Sequence, residues 1–332
     1  MSERPSTAAE SRLRQVGPTG GGPGLTSREA ATKLRAAYPA HGATGACAAC
    51  GGTRTGPFTW EQGFRIAECR DCAFLWVDPV PSGEDMWSYY NERSWKPYPP
   101  EVARKKFAPS VQVVSRLLPR GATVLDVGAD HGHFAGALQE RGFRVTGVDI
   151  DGQALAYAHR VYGIPVHQCE LTELRTEERF DAVTILSSLE HMVNPYEVMA
   201  AARHLLRPGG LLIVSTPVGD GLVPAFSRRF LMRATGTWEL LSPPSHLTFF
   251  NRRSLTAMLH RAGFGQPDFH YQARSRAYKQ RELSRALAES PAASSWVRPL
   301  YLRLHWLLPL GRLLGRGDMT YCVAATDARD ER

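Results

Sequence analysis

No stretch of this chain is apolar for long enough to cross a bilayer, and its start lacks the basic-then-apolar layout of a secretory signal. "MSERPSTAAESRLRQVGPTGGGPG" is polar and rich in Gly, Pro and Ser, so residues 1–40 read as a disordered tail and the cytoplasm is the expected compartment. Lysine is scarce as well, 5 against 35 arginines within a net charge of +8. Such a skew follows more simply from coding-sequence base composition than from selection for phosphate binding, so basicity alone does not establish a nucleic-acid partner. The excess is also local. Residues 252–316 carry twelve basic side chains and three acids, Asp268, Glu282 and Glu289. Within that region "SSWVRPLYLRLHWLLPLGRLLGRG" is apolar but broken by Arg298, Pro299, Arg303, His305, Pro309 and Arg312. A basic amphipathic insertion at about 274–317 is expected. Its first reading is a cap over the substrate cleft or an oligomer contact, with a membrane surface or nucleic acid as alternatives.

Cysteine is sparse, six in 332 residues, yet four are clustered. Cys47 and Cys50, in "CAACG", and Cys69 and Cys72, in "CRDCA", form two pairs with two residues inside each pair and 18 between them. Each pair sets two sulfurs on one tight turn. Two such turns joined through a hairpin complete the tetrahedral thiolate set that zinc prefers, while two disulfides or a redox dithiol would use the same residues. The intervening "GTRTGPFTWEQGFRIAE" supports a hairpin, because a Gly-Pro break precedes an alternating run from Phe64. Four thiolates leave no open coordination position, so a zinc ribbon over 41–85 would be structural, folding a segment too small to bury its own core. Its Arg54, Arg65 and Arg70 are balanced by Glu61, Glu68 and Asp71, which argues against a grip on nucleic acid. Cys169 and Cys322 read as small buried hydrophobes.

From residue 122 apolar strand-like runs alternate with helical patterns. "ATVLDV", "FRVTGVDI", "FDAVTILSSL" and "GGLLIVSTP" are separated by helix-like stretches at Phe134–Arg141, Gln153–Tyr162 and Pro195–Leu206. That alternation predicts an α/β, doubly wound parallel sheet covered by helices on both faces, with ligands at the carboxyl ends of the strands. The dinucleotide fingerprint G-x-G-x-x-G is missing. In its place the first strand ends in Asp126-Val-Gly128-Ala-Asp130-His-Gly132, and the second ends in Asp149, 17 residues beyond Gly132, where a carboxylate can accept both hydroxyls of a ribose.

This ordered set resembles the first motif, D/E-x-G-x-G-x-G, of the seven-stranded methyltransferases that use S-adenosylmethionine. "FDAVTILSSLEHMVNPYEVMAAARHLLRPGGLLIVSTP" is similar to that family's fourth strand, its "EH" segment and its L-x-P-G-G turn. "HLTFFNRRSLTAMLHRAGF" resembles a later stretch, and the likeness spans about 122–326. Asp130 departs from the common glycine. A sub-group similar to bacterial sugar C-methyltransferases carries asparagine there and also has an N-terminal four-cysteine module. Asp and Asn both tolerate left-handed backbone, and an acid suits a cofactor carrying an amino group and a sulfonium.

The resemblance implies a seven-stranded, mostly parallel sheet and a cofactor site built from Asp126, Gly128, Asp130, Gly132, Phe134, Asp149, Ile150, Glu170, Leu171 and Ser187. It implies bases among Glu190, His191 and His246, with His246 the first choice. The aromatic linker at 86–121 would bring Tyr90, Trp95 and Tyr98 to the substrate. Ser245 stands where those sugar enzymes have glutamate, which weakens a C-methylating mechanism and leaves His246 usable for O-methylation. The expected function is methyl transfer to a small molecule, a sugar or another secondary metabolite. An RNA methyltransferase and a non-catalytic scaffold are the alternatives.

Overall fold

The computed structural model describes residues 27–37, 45–91, 96–236, 238, 240–272, 303 and 308–326. In chain order, α1 (Ser27–Ala37) precedes a three-stranded meander, β1 (Thr55–Glu61), β2 (Phe64–Cys69) and β3 (Leu75–Val77). Two helices follow, α2 (Gly83–Asn91) and α3 (Pro100–Leu117). The main unit then alternates β4 (Thr123–Val127), α4 (His133–Gln139), β5 (Arg144–Asp149), α5 (Gly152–Tyr162), β6 (Val166–Gln168), β7 (Phe180–Leu186), α6 (Pro195–Leu205) and β8 (Leu206–Pro217). It finishes with α7 (Leu222–Thr235), β9 (Thr248–Phe249), α8 (Arg252–Arg261), β10 (Asp268–Gln272), a short helix at Leu308–Leu313, and β11 (Met319–Ala325).

Seven strands form one sheet in the order β10-β11-β8-β7-β4-β5-β6. From β8 to β6 every pair is parallel, while β11 runs antiparallel to both β8 and β10. The central strands are apolar on both faces because helices cover both. Val124, Val145, Ala182 and Ile213 pack with Val111 and Val114 of α3 and Phe134 of α4. Leu125, Val127, Val183 and Val214 face the other way, toward Met199 of α6 and Leu255 and Met258 of α8. The expected doubly wound, seven-stranded sheet is what the chain forms.

The cysteine segment folds as the expected hairpin, but it is not a separate body. Its sheet has the order β1-β2-β3-β9, so the fourth strand comes from the main unit. Leu75 pairs with Phe249 and Trp76 with Thr248, and Val77 N donates to Leu247 O at 2.8 Å. Cys47, Cys69, Cys72, Phe74 and Trp76 share one core with the main sheet's Leu125 and Val214. A boundary at residue 85 therefore divides the sequence, not the core.

Assigning all of 1–40 to a tail is corrected at 27–37. There α1 buries Leu34 against the cluster that contains Phe64, Ile66 and Met86. An 11-residue helix with no strong apolar run owes its order to that contact rather than to propensity. The basic segment at 274–317 lies outside the described residues except for Arg303 and 308–317. Among the described residues no helix is long and apolar enough to cross a membrane.

Candidate active site

The carboxyl ends of β4, β5 and β7 open into one large cavity of about 1120 Å³, with the loop before β9 on its far side. That exceeds the usual range for one small ligand, about 300–1,000 Å³, and suits a cofactor and an acceptor together. Its walls include Tyr90, Tyr98, Asp126, Gly128, Asp130, Phe134, Asp149, Ile150, Glu170, Leu171, Ser187, Glu190, His191 and His246. Fourteen of the sequence-predicted site residues thus meet around one space. Trp95 lies outside the described residues.

Three acids dominate one half. Asp126 is buried at the end of β4, and Thr184 Oγ1 donates to its Oδ1 at 2.8 Å. Burial pushes its carboxyl up to about 7, against the Thr184 hydrogen bond and helped by Asp149 and Asp130. Asp149 is lifted to about 6, again chiefly by burial. Its two oxygens accept the backbone N–H groups of Asp130 and Asp151, both at 2.9 Å, which fixes the carboxylate's direction. Asp130 adopts φ +50, the left-handed conformation anticipated for an acid at this step, and its carboxylate meets His131 Nδ1 at 2.6 Å. Burial opposes protonation of His131, but Asp130, with Asp151 and Asp149 behind it, outweighs that and raises its pKa. Buried acids raised this far in a cleft mark a candidate functional site.

Gly128 and Gly132 are both left-handed, at φ +74 and +69. Their roles differ from simple clearance for a ligand. A Cβ on Gly128 would collide with Ser188 Oγ and Cβ, so the loop is packed against the end of β7. A Cβ on Gly132 would sit 2.5 Å from Ala158 Cβ, because α4 starts directly against α5. Gly132, a predicted cofactor residue, is not among the residues of the cavity wall; its left-handed turn and its packing on Ala158 place the start of α4 beside the site. Ser187, at the end of β7, is also left-handed, at φ +51, and Ser187 N donates to Ser215 O at 2.7 Å.

Glu190, His191 and His246 gather on the opposite side, with their ligand-type atoms all within 4.8 Å of one another. Glu190 is buried on the 3-10 turn Leu189–His191, where Thr216 Oγ1 donates to its Oε2 at 3.0 Å. His191 Nδ1 is hydrogen-bonded to Ser245 O, and the His191 and His246 rings meet edge to face at 4.8 Å. Tyr90 OH also donates to Ser245 O, at 3.2 Å, so the aromatic linker does reach the histidine loop. Tyr98 sits elsewhere on the wall. Its backbone N–H donates to His133 Nε2 at 3.1 Å, and Lys106 Nζ donates to its hydroxyl at 2.8 Å.

Sequence reasoning missed Thr184, Thr216 and His133. Thr184 and Thr216 sit inside apolar strand runs, where a threonine reads as a β-branched filler. His133 binds Tyr162 OH through Nδ1 at 2.7 Å, and burial, with His131 beside it, lowers its pKa. Only its place in "DHGHF" hinted at a role.

The four cysteines converge as expected. Cys47 Sγ lies 3.6 Å from Cys72 Sγ, and Cys50 Sγ 3.6 Å from Cys69 Sγ. With Zn–S bonds of about 2.3 Å, a regular tetrahedron places sulfurs roughly 3.8 Å apart. The Cys47 thiol is held down at about 5 by the Cys72 hydrogen bond, and the same contact pushes Cys72 up.

A mostly parallel seven-stranded sheet with one reversed strand, acids at the ends of β4 and β5 and one large cavity beyond them defines a Rossmann-like methyltransferase fold. Residues 101–265, about half the chain, match the family model described as "Methyltransferase domain", and this segment belongs to that family. A ubiquinone biosynthesis O-methyltransferase of Pseudomonas paraeruginosa is 41% identical over 103 residues, 29% of this chain and 44% of that protein. The enzyme of the same description from Alkalilimnicola ehrlichii is 32% identical over 149 residues, 40% of this chain and 60% of that one. The chain thus spans about half the length of the curated relatives it matches. A solved 1,6-didemethyltoxoflavin-N1-methyltransferase from Burkholderia thailandensis is 18% identical, covering 82% of this chain and 99% of its own, with a TM-score of 0.46.

Proposed function

We propose that this protein transfers a methyl group from S-adenosylmethionine to a hydroxyl of a small molecule. The observation that carries this reading is the single cavity shared by the Asp126–Asp130–Asp149 acids and the Glu190–His191–His246 group. When bound, the cofactor supplies an electrophilic methyl group on a sulfonium. Asp149, already aimed by two backbone N–H groups, would accept the ribose hydroxyls. Asp126 and Asp130 favour the cofactor's positive charge. Glu170 and Leu171 would flank its adenine, and Ser187 its methyl end. At the other side His246 takes the proton from the acceptor hydroxyl, with His191 and Glu190 completing the polar wall, and alignment supplies much of the acceleration.

The acceptor class is a sugar or another secondary metabolite. The curated relatives are named as O-methyltransferases, which supports oxygen over nitrogen or carbon. Cys47, Cys50, Cys69 and Cys72 would hold a structural zinc, since their sulfur spacing fits four-coordinate thiolate. Titration with S-adenosylhomocysteine by calorimetry tests the cofactor half. Saturable one-to-one binding in the micromolar range is expected. No binding by zinc-loaded protein refutes the reading.

A further inference from the structure

Asn251 has more partners than a helix cap requires. Its Oδ1 accepts Ser254 N at 2.9 Å, and Ser254 Oγ accepts Asn251 N at 3.0 Å, which closes a capping box at the start of α8. Its amide nitrogen is then free to donate elsewhere, and it donates twice, to Cys72 O at 3.1 Å and to Ala73 O at 2.7 Å. Ala73 is left-handed at φ +57, an uncommon state for a residue with a Cβ, directly after the fourth cysteine. The two carbonyls of that turn point at a single side chain from another part of the chain.

The same short strip reaches the histidine. Between Asn251 and His246, Phe249 pairs with Leu75 and Thr248 with Trp76. The Phe249 ring lies 6.3 Å from the His246 ring. One residue past His246, Leu247 N donates to Glu190 O at 2.8 Å, and Leu247 O accepts Val77 N. A displacement of the Cys72 turn therefore has a continuous hydrogen-bonded and packed route to the acceptor side of the cavity.

We propose that Asn251 is a positioning residue that ties the thiolate cluster to the His246 loop, so that the cysteine site shapes the acceptor site as well as its own fold. This rests on the reading of the four cysteines as a zinc site and of His246 as an acceptor-side group. A plain helix cap is the competing account, and Asn251→Asp separates the two. The carboxylate still accepts Ser254 N, but it loses both donors and sets an oxygen against two carbonyls. Asn251→Ser, which also caps a helix but cannot span both carbonyls, serves if the added charge unfolds the chain.

Three measurements on full-length protein decide it. Zinc transfer to the chromogenic chelator 4-(2-pyridylazo)resorcinol should be at least roughly tenfold faster in the variant, because one coordinating turn has lost its clasp. The His246 imidazole carbon–proton resonance, assigned with His246→Gln, should move. Affinity for S-adenosylhomocysteine should stay within about twofold, since its carboxylates sit on β4 and β5 away from the strip. Wild-type zinc release, or an unmoved His246 signal, reduces Asn251 to a cap and overturns the coupling. Wild-type protein isolated without zinc overturns the metal reading and the coupling together. Metal content on the same sample distinguishes that case from failure of the coupling alone, in which zinc is present and tightly held.

Discussion

Replacing Asp126 by asparagine should make the ligand-free protein more stable while weakening its hold on the cofactor. Asp126 is 3% exposed and has one neutral donor, Thr184, within a group of three acids. Its carboxyl sits at about 7 in the folded state, against an ordinary value of 3.8. An acid whose folded pKa is raised binds its proton more tightly when folded, so stability falls as pH climbs from the unfolded value to the folded one. At 1.36 kcal/mol per pKa unit, the ionised side chain costs about 4 kcal/mol above pH 7 and under about 2 kcal/mol at pH 5. Asparagine is nearly the same shape and carries no charge, so it removes most of that cost. It also retains an oxygen for the Thr184 hydroxyl. Urea unfolding of wild type and Asp126→Asn at pH 8 and pH 5 reads the difference. The variant should gain a few kcal/mol at pH 8 and less than half as much at pH 5. Calorimetry at pH 8 should show S-adenosylhomocysteine affinity reduced at least roughly tenfold, one lost charged interaction being worth that much. A variant no more stable than wild type at pH 8, or a gap independent of pH, refutes the argument from burial.

Cofactor affinity should itself fall as pH drops from 8 to about 5, because Asp126 and Asp149 take up protons near 7 and near 6 and then present no charge; calorimetric titrations across that range check the midpoints. Gly132→Ala should destabilise by about 2 kcal/mol or more in urea melts, combining a φ of +69 with a Cβ placed 2.5 Å from Ala158. His246→Gln should lower turnover by about 10²–10⁴, the usual share of a positioned base, and leave S-adenosylhomocysteine affinity unchanged. Cys72→Ser should abolish stoichiometric zinc retention and lower the melting temperature, measured by metal analysis and thermal scanning on one preparation.

Much of the Asp126–Asp149 side of the cavity was legible in the sequence because its determinants are local. Asp126, Gly128, Asp130 and Gly132 lie within seven residues, and a strand that ends in glycines before a helix leaves few conformations for the backbone between. The strand–helix alternation specified the sheet because buried parallel strands must be apolar on both faces. The spacing of Cys47, Cys50, Cys69 and Cys72 specified a four-sulfur cluster for the same reason of short range: each pair shares one turn.

The Glu190–His191–His246 side is different. His191 and Ser245 are 54 residues apart, and their contact exists only because the 3-10 turn after β7 faces the loop before β9. The partners of Asp126 and Glu190 are threonines on neighbouring strands, Thr184 on β7 and Thr216 on β8, chosen by strand register and by nothing in their own surroundings. Order in α1 depends on aromatic residues far along the chain. Above all, β9 completes the sheet of the cysteine segment, a pairing no local pattern encodes since a two-residue strand has no periodicity. What the sequence determined by itself was each element and each short-range cluster. What only the tertiary structure decided was that the thiolate cluster, the histidines and the three acids share one connected frame, because long-range contacts are set by how the layers close rather than by any one segment.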